Sequence, residues 1–338
     1  MRKLASIQRV EEILPIEGAD LIEKVRIKGW WCVAKKGEFK SGDSCVYFEI
    51  DSLLPNIPQF EFLGKGRTLK KSLLSDGQMT EGYRLKTAKL RGQISQGLAL
   101  PLSFFPEIGT PDIGQDVSQQ LHIYKYDPQV PAYLAAGIKG PIPGFIPVTD
   151  EERIQSCIEV LEKYKCQRFY RTSKVDGTSS TFYKLDNQFG VCAHKVEFEE
   201  NNGNDYWKIA NQYQLKNRLT EGFAIQAEVA GEKIENNRLS LKGVDAFVFY
   251  IFDINKWQYL KLDDMKAFVK DLGMKTVPIL DENFILNHSC DELLNLADAQ
   301  SELNSDCLQE GTVIRLYDST EKISFKVISN KYLIKWGL

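Results

Sequence analysis

The tetrapeptide Lys174-Val175-Asp176-Gly177 combines residue types that could carry out nucleophilic chemistry. It lies at the end of a predicted strand, where the glycine allows a tight turn before the small residues Thr178-Ser179-Ser180. A lysine amine attacks as a nucleophile only when it is neutral, and neighbouring cations or a metal ion can bring this about at neutral pH. The pattern makes Lys174 a candidate nucleophile, although an isolated match could equally be a surface turn.

Three charged residues further along the chain lie in or beside apolar strands. Glu228 is inside the segment 224–231, Glu310 precedes the strand 312–316, and Lys326 is inside 323–328. A charge among apolar neighbours is costly to bury unless it meets an opposite charge or a metal. With Asp176 and Lys174, these residues would suit a metal-bound nucleoside triphosphate if they converge on one cleft. Considered by itself, Phe252, which lies in the aromatic run 247–252, is predicted to be a core residue.

The elements that must position these residues fall into two groups. The first hundred residues predict short strands at 21–27, 30–35, 44–50, 83–90 and 97–100, separated by turns that contain glycine. A small β-barrel accounts for them economically, because closure hides the strand edges. Residues 128–148 hold five of the twelve prolines and three glycines, which predicts a linker between domains at 1–127 and 149–338.

The second domain predicts helices and strands together. Thr149-Asp150-Glu151-Glu152 has the pattern of a capping box, followed by helical spacing of Ile154, Cys157, Ile158 and Leu161. A second helix is predicted at 263–272, with Gly273 as its C-cap. Strands are predicted at 169–174, 180–185, 189–194, 223–230, 247–254, 312–316 and 323–328. This mixture indicates an α+β class with substantial antiparallel sheet.

Composition excludes several classes of protein. With 338 residues, 43% hydrophobic and 26% charged, the chain fits neither a disordered polymer nor a fibrous repeat. The longest apolar run, 246–252, is too short to span a bilayer, and the N-terminus lacks the apolar core of a signal peptide. We therefore expect an intracellular protein, cytoplasmic or nuclear. Seven cysteines without a CxxC pair, and only three histidines, predict reduced thiols rather than disulfides or a zinc site.

The net charge of −3 hides a basic segment between residues 65 and 91. This segment contains eight lysines and arginines but only two acidic residues, Asp76 and Glu81. This excess indicates either contact with a polyanion or an ordinary solvated face, and composition leaves both open. The candidate RNA contacts in this segment are Lys70, Lys71, Lys86 and Lys89.

Five motifs, in this order, resemble those of the covalent nucleotidyltransferases, which comprise polynucleotide ligases and mRNA capping enzymes. They are KVDG at Lys174, AEVAG at Glu228, FYIFDI at Phe252, EGTVIR at Glu310 and SFKVIS at Lys326. Segments 2–7, 15–20 and 46–52 resemble the OB domain that one branch of ATP-dependent, nick-sealing RNA ligases carries. The resemblance implies an N-terminal OB-type β-barrel followed by an ATP-grasp-like nucleotidyltransferase (adenylylation) domain with antiparallel sheets and flanking helices.

The same resemblance implies roles for individual residues. Lys174 would be the nucleophile that forms a lysyl-AMP, with Asp176, Glu228 and Glu310 binding Mg²⁺ or Mn²⁺, through water. Phe252 would stack on adenine, Lys326 would hold the α-phosphate, and Arg153 would be a further phosphate contact. The sequence departs from the family at Ile328, where a second lysine is frequent, so that Lys331 is the nearest substitute. It departs again at His194, which takes the place of a frequent arginine and is more readily explained as structural.

The function that this resemblance implies is an ATP-dependent RNA ligase that joins 3′-hydroxyl and 5′-phosphate ends. Its expected partners are ATP and RNA, as a nicked duplex or an RNA·DNA hybrid, and the chain is expected to act as a monomer. A DNA ligase or a guanylyltransferase is the alternative within the superfamily, but those enzymes place an OB domain after the last motif, and only twelve residues follow Lys326. A catalytically inert nucleic-acid-binding OB protein is the non-enzymatic alternative.

Overall fold

The computed structural model describes residues 2–64, 68–74, 78–127, 137–193, 195–201 and 203–338. It divides into two compact units, Met1–Gln129 with Leu333–Leu338, and Val130–Tyr332. Lys65, Arg67 and Asp76 of the basic segment, His194, and 128–136 of the predicted linker lie outside the described residues. The domain limits inferred from the sequence stay a prediction.

The first unit is built from short strands that pair antiparallel. The strands are β1 Ala5–Arg9, β2 Glu12–Pro15, β3 Ile22–Ile27, β4 Trp30–Lys35, β5 Ser44–Phe48, β6 Ser52–Leu54, β7 Lys70–Leu73, β8 Met79–Arg84, β9 Ala88–Leu90, β10 Gln93–Ser95, β11 Leu98–Pro101 and β12 Tyr124–Lys125. Short 3-10 helices occur at Pro58–Gly64, Leu102–Phe104 and Pro106–Ile108. The predicted strands at 21–27, 30–35, 44–50 and 97–100 are confirmed within two residues.

Sheets in the first unit follow the orders β1-β5-β11, β2-β3-β4 and β12-β6-β8-β7, with β9 and β10 forming a separate hairpin. Side chains alternate as a strand requires: in β4, Trp30, Cys32 and Ala34 are buried, whereas Trp31 and Val33 are partly exposed. The single strand predicted at 83–90 is wrong, because the chain changes partners there. β8 pairs with β6 and β7 and ends at Arg84, whereas β9 pairs with β10.

The second unit contains the remaining strands and the α-helices. The strands are β13 Ile138–Pro141, β14 Arg168–Lys174, β15 Thr178–Leu185, β16 Gln188–Ala193, β17 Val196–Phe198, β18 Phe223–Gly231, β19 Val244–Asp253, β20 Gln258–Tyr259, β21 Lys275–Thr276, β22 Ile279–Ile285, β23 Gln300–Ser301, β24 Asn304–Leu308, β25 Gly311–Leu316 and β26 Ser324–Ile328. The α-helices are α1 Glu159–Lys163, α2 Asp205–Gln212, α3 Leu215–Arg218, α4 Leu262–Leu272, α5 Cys290–Ala297 and α6 Asn330–Trp336. The end of α6, from Leu333, is counted with the first unit. A 3-10 helix covers Ile154–Ser156.

Two antiparallel sheets form the framework of the second unit. The larger has the order β13-β17-β16-β15-β18-β19-β20, with β21 parallel to β19, and the smaller has the order β22-β14-β25-β26. One face of the larger sheet packs against α2 and α4 in a core that includes Ile225, Ala227 and Val229. Since side chains alternate along a strand, Gln226 and Glu228 lie on the opposite face. The predicted α+β class is confirmed.

Most predicted elements of the second unit are confirmed, including α4 with Gly273 as its left-handed C-cap. The helix start predicted from the capping box at Thr149 is wrong, and of the predicted span only the 3-10 turn Ile154–Ser156 and α1 are helical. That segment is irregular up to the 3-10 turn at Ile154, because β26 uses its polar groups: the Lys326 N–H donates to Glu152 O at 2.8 Å, and Lys326 Nζ donates to Asp150 Oδ1 at 2.8 Å. A local helix signal is thus overridden by tertiary hydrogen bonds.

The described part of the predicted linker, 137–148, is built into the second unit. β13 pairs antiparallel with β17, and Ile146 is 4% exposed within a hydrophobic cluster. The Gln226 side chain also donates to Pro147 O at 2.9 Å. The described part of this stretch therefore forms an edge strand of the larger sheet and packs against that sheet, and it is not an unattached linker. Among the described residues, no helix is both long and apolar enough to cross a membrane.

Candidate active site

Lys174 is placed by the pairing of two strands in the smaller sheet. It ends β14 and lies opposite Gly311, the first residue of β25. Glu310 precedes that glycine, so the register brings the two charged side chains together. Lys174 Nζ donates to Glu310 Oε2 at 2.7 Å, and both side chains retain some exposure, 25% and 18%. The candidate nucleophile is thus accessible and paired with one of the candidate metal-binding carboxylates.

Gly177 lets the chain pass from the smaller sheet to the larger one. A Cβ atom at this position would lie 2.3 Å from the carbonyl oxygen of Val229, far inside van der Waals contact. The glycine therefore permits β15 to start immediately beside β18, where Ser179 pairs with Glu228. This close approach explains the fourth residue of the KVDG motif and brings Glu228 near Lys174.

The three candidate carboxylates have different partners. Glu310 accepts from Lys174, and both oxygens of Asp176 accept from Arg238 Nη1, at 3.0 and 3.1 Å. The Glu228 side chain, half-buried in the middle of β18, makes no hydrogen bond or ion pair with any residue that the structure describes. Arg238 was not identified from the sequence, because it lies in the irregular segment between β18 and β19, which carries no pattern.

Burial and mutual repulsion shift the ionisation of these groups. Burial raises the pKa of the Glu228 carboxyl to about 8; Lys174 opposes this, and the charges of Glu310 and Asp176 add to it. For Lys174, burial lowers the pKa, but the carboxylates of Glu310, Glu228 and Asp176 raise it by more. The lysine is therefore held as an ammonium ion in this state, and it acts on the Glu228 carboxyl through its charge, without a hydrogen bond between the two side chains.

Two further cations stand beside Lys174. Burial lowers the pKa of Lys326, Asp150 raises it, and the positive charges of Lys174 and Arg153 lower it again, which shows that the three cations are close. Arg153 forms an isolated parallel bridge with Lys326, at the start of the 3-10 turn. The structure thus brings the three predicted cations together, and a group of this kind can bind a polyanion such as a triphosphate.

Aromatic residues of β19 on this face differ in exposure. Phe252 is 1% exposed, and its ring packs against Trp257 and Tyr259 with centroids 5.3 and 5.1 Å apart. The prediction that Phe252 offers a ring face to a base conflicts with this burial. Phe249 is partly exposed and lies at a β-bulge, where the register with Gln226 and Ala227 shifts. A bulge redirects side chains, and it leaves no signal in the sequence.

The candidate RNA-binding lysines of the first unit are only partly available. Lys70 and Lys71 of β7 and Lys89 of β9 are exposed. Lys86 is half-buried, and its Nζ donates to Gly337 O at 2.8 Å, within the same unit. Their contact with RNA stays a prediction.

Donor chemistry at the site fits a hydrated divalent cation better than a directly ligated one. Among the described residues, no group of three or more His, Cys, Asp or Glu side chains is arranged to hold a metal ion by itself. Two of the three carboxylates are paired with Lys174 and Arg238, whereas the Glu228 side chain forms no ion pair within the described part of the chain. Carboxylate oxygens suit Mg²⁺, which keeps several of its waters when bound and so does not require a complete set of protein ligands.

Comparisons with known proteins agree over both units. Residues 4–102 match the family model of an OB-fold domain, and residues 167–332 match the RNA ligase model. The chain is similar to structures of an RNA ligase from Naegleria gruberi. A mutant of that ligase with ATP and Mn is 42% identical, over 98% of this chain and 99% of that chain, with a TM-score of 0.89. The protein with PPi is 42% identical over 99% of each chain, also with a TM-score of 0.89. Another mutant of that ligase, with AMP and Mn, is equally similar, at 42% identity over 99% of each chain and a TM-score of 0.89. No curated protein sequence matches the chain.

The raised pKa of Glu228 predicts a pH-dependent stability that the Glu228→Gln variant lacks. A carboxyl that keeps its proton up to about pH 8 when folded, but releases it near pH 4.5 when unfolded, makes the folded state lose stability as pH rises through this window. Without divalent metal, the unfolding free energy of the wild type should therefore fall relative to the variant between about pH 5 and 8, by up to about 1.4 kcal/mol per pH unit. Chemical denaturation at several pH values measures this, and parallel pH profiles would contradict it.

Proposed function

The chain belongs to the RNA ligase family, and from this premise we propose that it is an ATP-dependent ligase that joins RNA 3′-hydroxyl and 5′-phosphate ends through a lysyl-AMP intermediate. The observation that carries the proposal is the meeting of Lys174 with three carboxylates and two further cations. Carboxylates can hold a divalent cation and cations can hold phosphates, so that the nucleophile lies where the α-phosphate of ATP would bind.

In the first step, Lys174 Nζ attacks the α-phosphorus. The ammonium group gives up one proton before the attack. As the P–N bond forms, the bond from the α-phosphorus to the bridging oxygen breaks, pyrophosphate leaves, and the nitrogen releases a second proton; both protons pass to solvent or to the departing pyrophosphate. Lys174 starts as an ammonium ion paired with Glu310, so this pair must separate before attack. Mg²⁺ or Mn²⁺ bound through water by Asp176, Glu228 and Glu310 would favour the neutral amine and stabilise negative charge on the α-phosphate. The similar ligase structures with ATP, AMP and Mn support this choice of ligands.

Phosphate and base contacts follow from the positions of the remaining residues. Lys326 is fixed by Asp150 and by backbone pairing with Glu152, and with Arg153 it would neutralise the phosphates. Phe249 is the aromatic residue of β19 with an accessible side chain next to the bulge, and we assign it the stacking on adenine. Phe252 supports it from within the hydrophobic cluster that both residues contact.

In the later steps, the AMP passes from Lys174 to the RNA 5′-phosphate, and the 3′-hydroxyl then attacks that phosphorus and releases AMP. A nicked duplex of RNA, or an RNA·DNA hybrid, presents both ends side by side and is the proposed substrate. The exposed Lys70, Lys71 and Lys89 of the first unit would contribute phosphate contacts. One chain carries every residue that this scheme requires, so we expect it to act as a monomer.

The Lys174→Arg variant tests the nucleophile. An arginine keeps the positive charge beside Glu310 but stays protonated, so the variant should form no covalent adduct with AMP. The measurement is incubation with α-labelled ATP or GTP and metal, followed by denaturing electrophoresis. Label on the variant would exclude Lys174 as the nucleophile, and label on the wild type from GTP alone would favour a guanylyltransferase. No adduct in the wild type would favour the inert binding protein.

Nick sealing defines the substrate. Among matched nicked duplexes with RNA or DNA on each side of the break, those with RNA at the break should be sealed in preference to all-DNA nicks, and the Lys174→Arg variant should seal none of them. Preferential sealing of all-DNA nicks would reject the RNA ligase assignment in favour of a DNA ligase.

Phe249→Ala separates the two aromatic assignments. Base–aromatic stacking contributes about 1–3 kcal/mol, so the variant should raise the KM for ATP in adenylylation roughly 5- to 150-fold with little change in melting temperature. Phe252→Leu is the matched control: it should lower the melting temperature, because a buried ring is lost, and leave the KM almost unchanged. The opposite outcome for the two variants would restore Phe252 as the stacking residue.

A further inference from the structure

The hairpin of β9 and β10 in the first unit has an unusual turn. Leu90 pairs with Gln93, and the two residues between them, Arg91 and Gly92, have φ angles of 48° and 84°. Two successive left-handed residues define a type I′ turn, which favours Asn or Gly at its first position. Arginine there adopts a backbone conformation that side chains disfavour, and a disfavoured conformation that is retained is a reason to look for a function.

Exposed groups of one chemical kind are concentrated at the tip. Lys89 and Arg91 are exposed, and neither makes a hydrogen bond or ion pair through its side chain with any residue that the structure describes. Leu90 between them is 44% exposed. From Gly82 to Pro106 the sequence contains no aspartate or glutamate, so no nearby carboxylate of this segment can neutralise the tip. The hairpin thus presents two unpaired cations on either side of an aliphatic side chain.

The base of the hairpin is held in place by contacts within the first unit. Ser95 Oγ accepts from the Val33 N–H at 2.9 Å, and the Gln96 N–H donates to Trp31 O at 2.8 Å. The Thr87 N–H donates to Leu338 O at 3.1 Å. Because both strands of the hairpin are anchored, the tip loses little conformational entropy when it binds, which favours binding of a rigid partner.

We propose that this hairpin tip, Lys89 to Gly92, binds double-stranded RNA beside the break to be sealed. The inference rests on the proposed function, since it assumes an RNA substrate. Lys89 and Arg91 pair with phosphates, and Leu90 packs against ribose groups in the wide, shallow minor groove of A-form RNA. A duplex fits better than a single strand, because residues 88–95 contain no aromatic side chain on which an unpaired base could stack.

Arg91→Asn is the most informative single change. Asparagine suits the first position of a type I′ turn, so the variant should melt no lower than the wild type while it binds a nicked RNA duplex more weakly. The double variant Lys89→Gln/Arg91→Asn should reduce the slope of log affinity against log salt by about 1.4–1.8, which corresponds to two lost phosphate contacts. Leu90→Ser should weaken binding without changing that slope.

A charge-matched control is available at the end of β4 in the same unit. Lys35 and Lys36 are also exposed, and Lys35→Gln/Lys36→Gln removes the same charge outside the hairpin. Affinity is measured on a non-sealable nicked RNA duplex and on single-stranded RNA, over several salt concentrations. Adenylylation of Lys174, which needs no RNA, is measured in parallel and should be unchanged in every variant.

Each result bears on the hairpin separately from the ligase assignment. Duplex affinity and salt slope that match the wild type in the hairpin variants, or an equal loss in the Lys35/Lys36 control, would overturn the proposal. A loss confined to single-stranded RNA would also overturn it. Failure of the ligase assignment would appear instead as a wild type that forms no AMP adduct and seals no nick, whatever the hairpin variants do.

Discussion

The second unit depends on a single electrostatic constraint: three carboxylates must lie near one lysine in a partly buried place. Asp176, Glu228 and Glu310 repel one another, and burial makes each charge more costly. The free protein relieves this in three ways, because Glu310 pairs with Lys174, Asp176 pairs with Arg238, and Glu228 keeps its proton at neutral pH. Under the proposed function each of these arrangements is temporary, since Lys174 would have to become neutral and the carboxylates would have to bind a metal ion.

The two sheets of the second unit bring these groups together. Lys174 and Glu310 come from neighbouring strands of the smaller sheet, whereas Glu228 comes from the larger one. Gly177 allows the chain to cross between them within three residues, because its missing Cβ leaves room for the Val229 carbonyl. The cations on the other side of the site are placed by β26, which pairs Lys326 with the segment that holds Asp150 and Arg153. The geometry of the site is therefore set by strand register rather than by flexible loops, which suits a group transfer that requires alignment of three reacting atoms.

The first unit has a different physical basis. Its sheets are short, its core is apolar, and its exposed turns carry cations that make few contacts with the rest of the unit. Under the proposed function such a surface would bind phosphates at long range and with strong salt dependence, whereas the second unit would bind its nucleotide through partly buried groups that titrate. A ligase needs both kinds of recognition, because RNA must be held whatever its sequence and the nucleotide must be held in one geometry.

The sequence by itself determined the order of motifs, the α+β class and most strands, and it singled out Lys174, Asp176, Glu228, Glu310 and Lys326 as candidate site residues. These follow from local periodicity and from charged residues in apolar strands, which are costly to bury unless they serve a purpose. Tertiary structure decided what local patterns cannot encode. The capping box at Thr149 gave way to hydrogen bonds with β26, the stretch 137–148 became a sheet edge, and Arg238 reached Asp176 from a segment without a pattern. The bulge that exposes Phe249 while Phe252 stays buried depends on how β18 and β19 pair, and pairing between strands is a property of the folded chain, not of either strand alone.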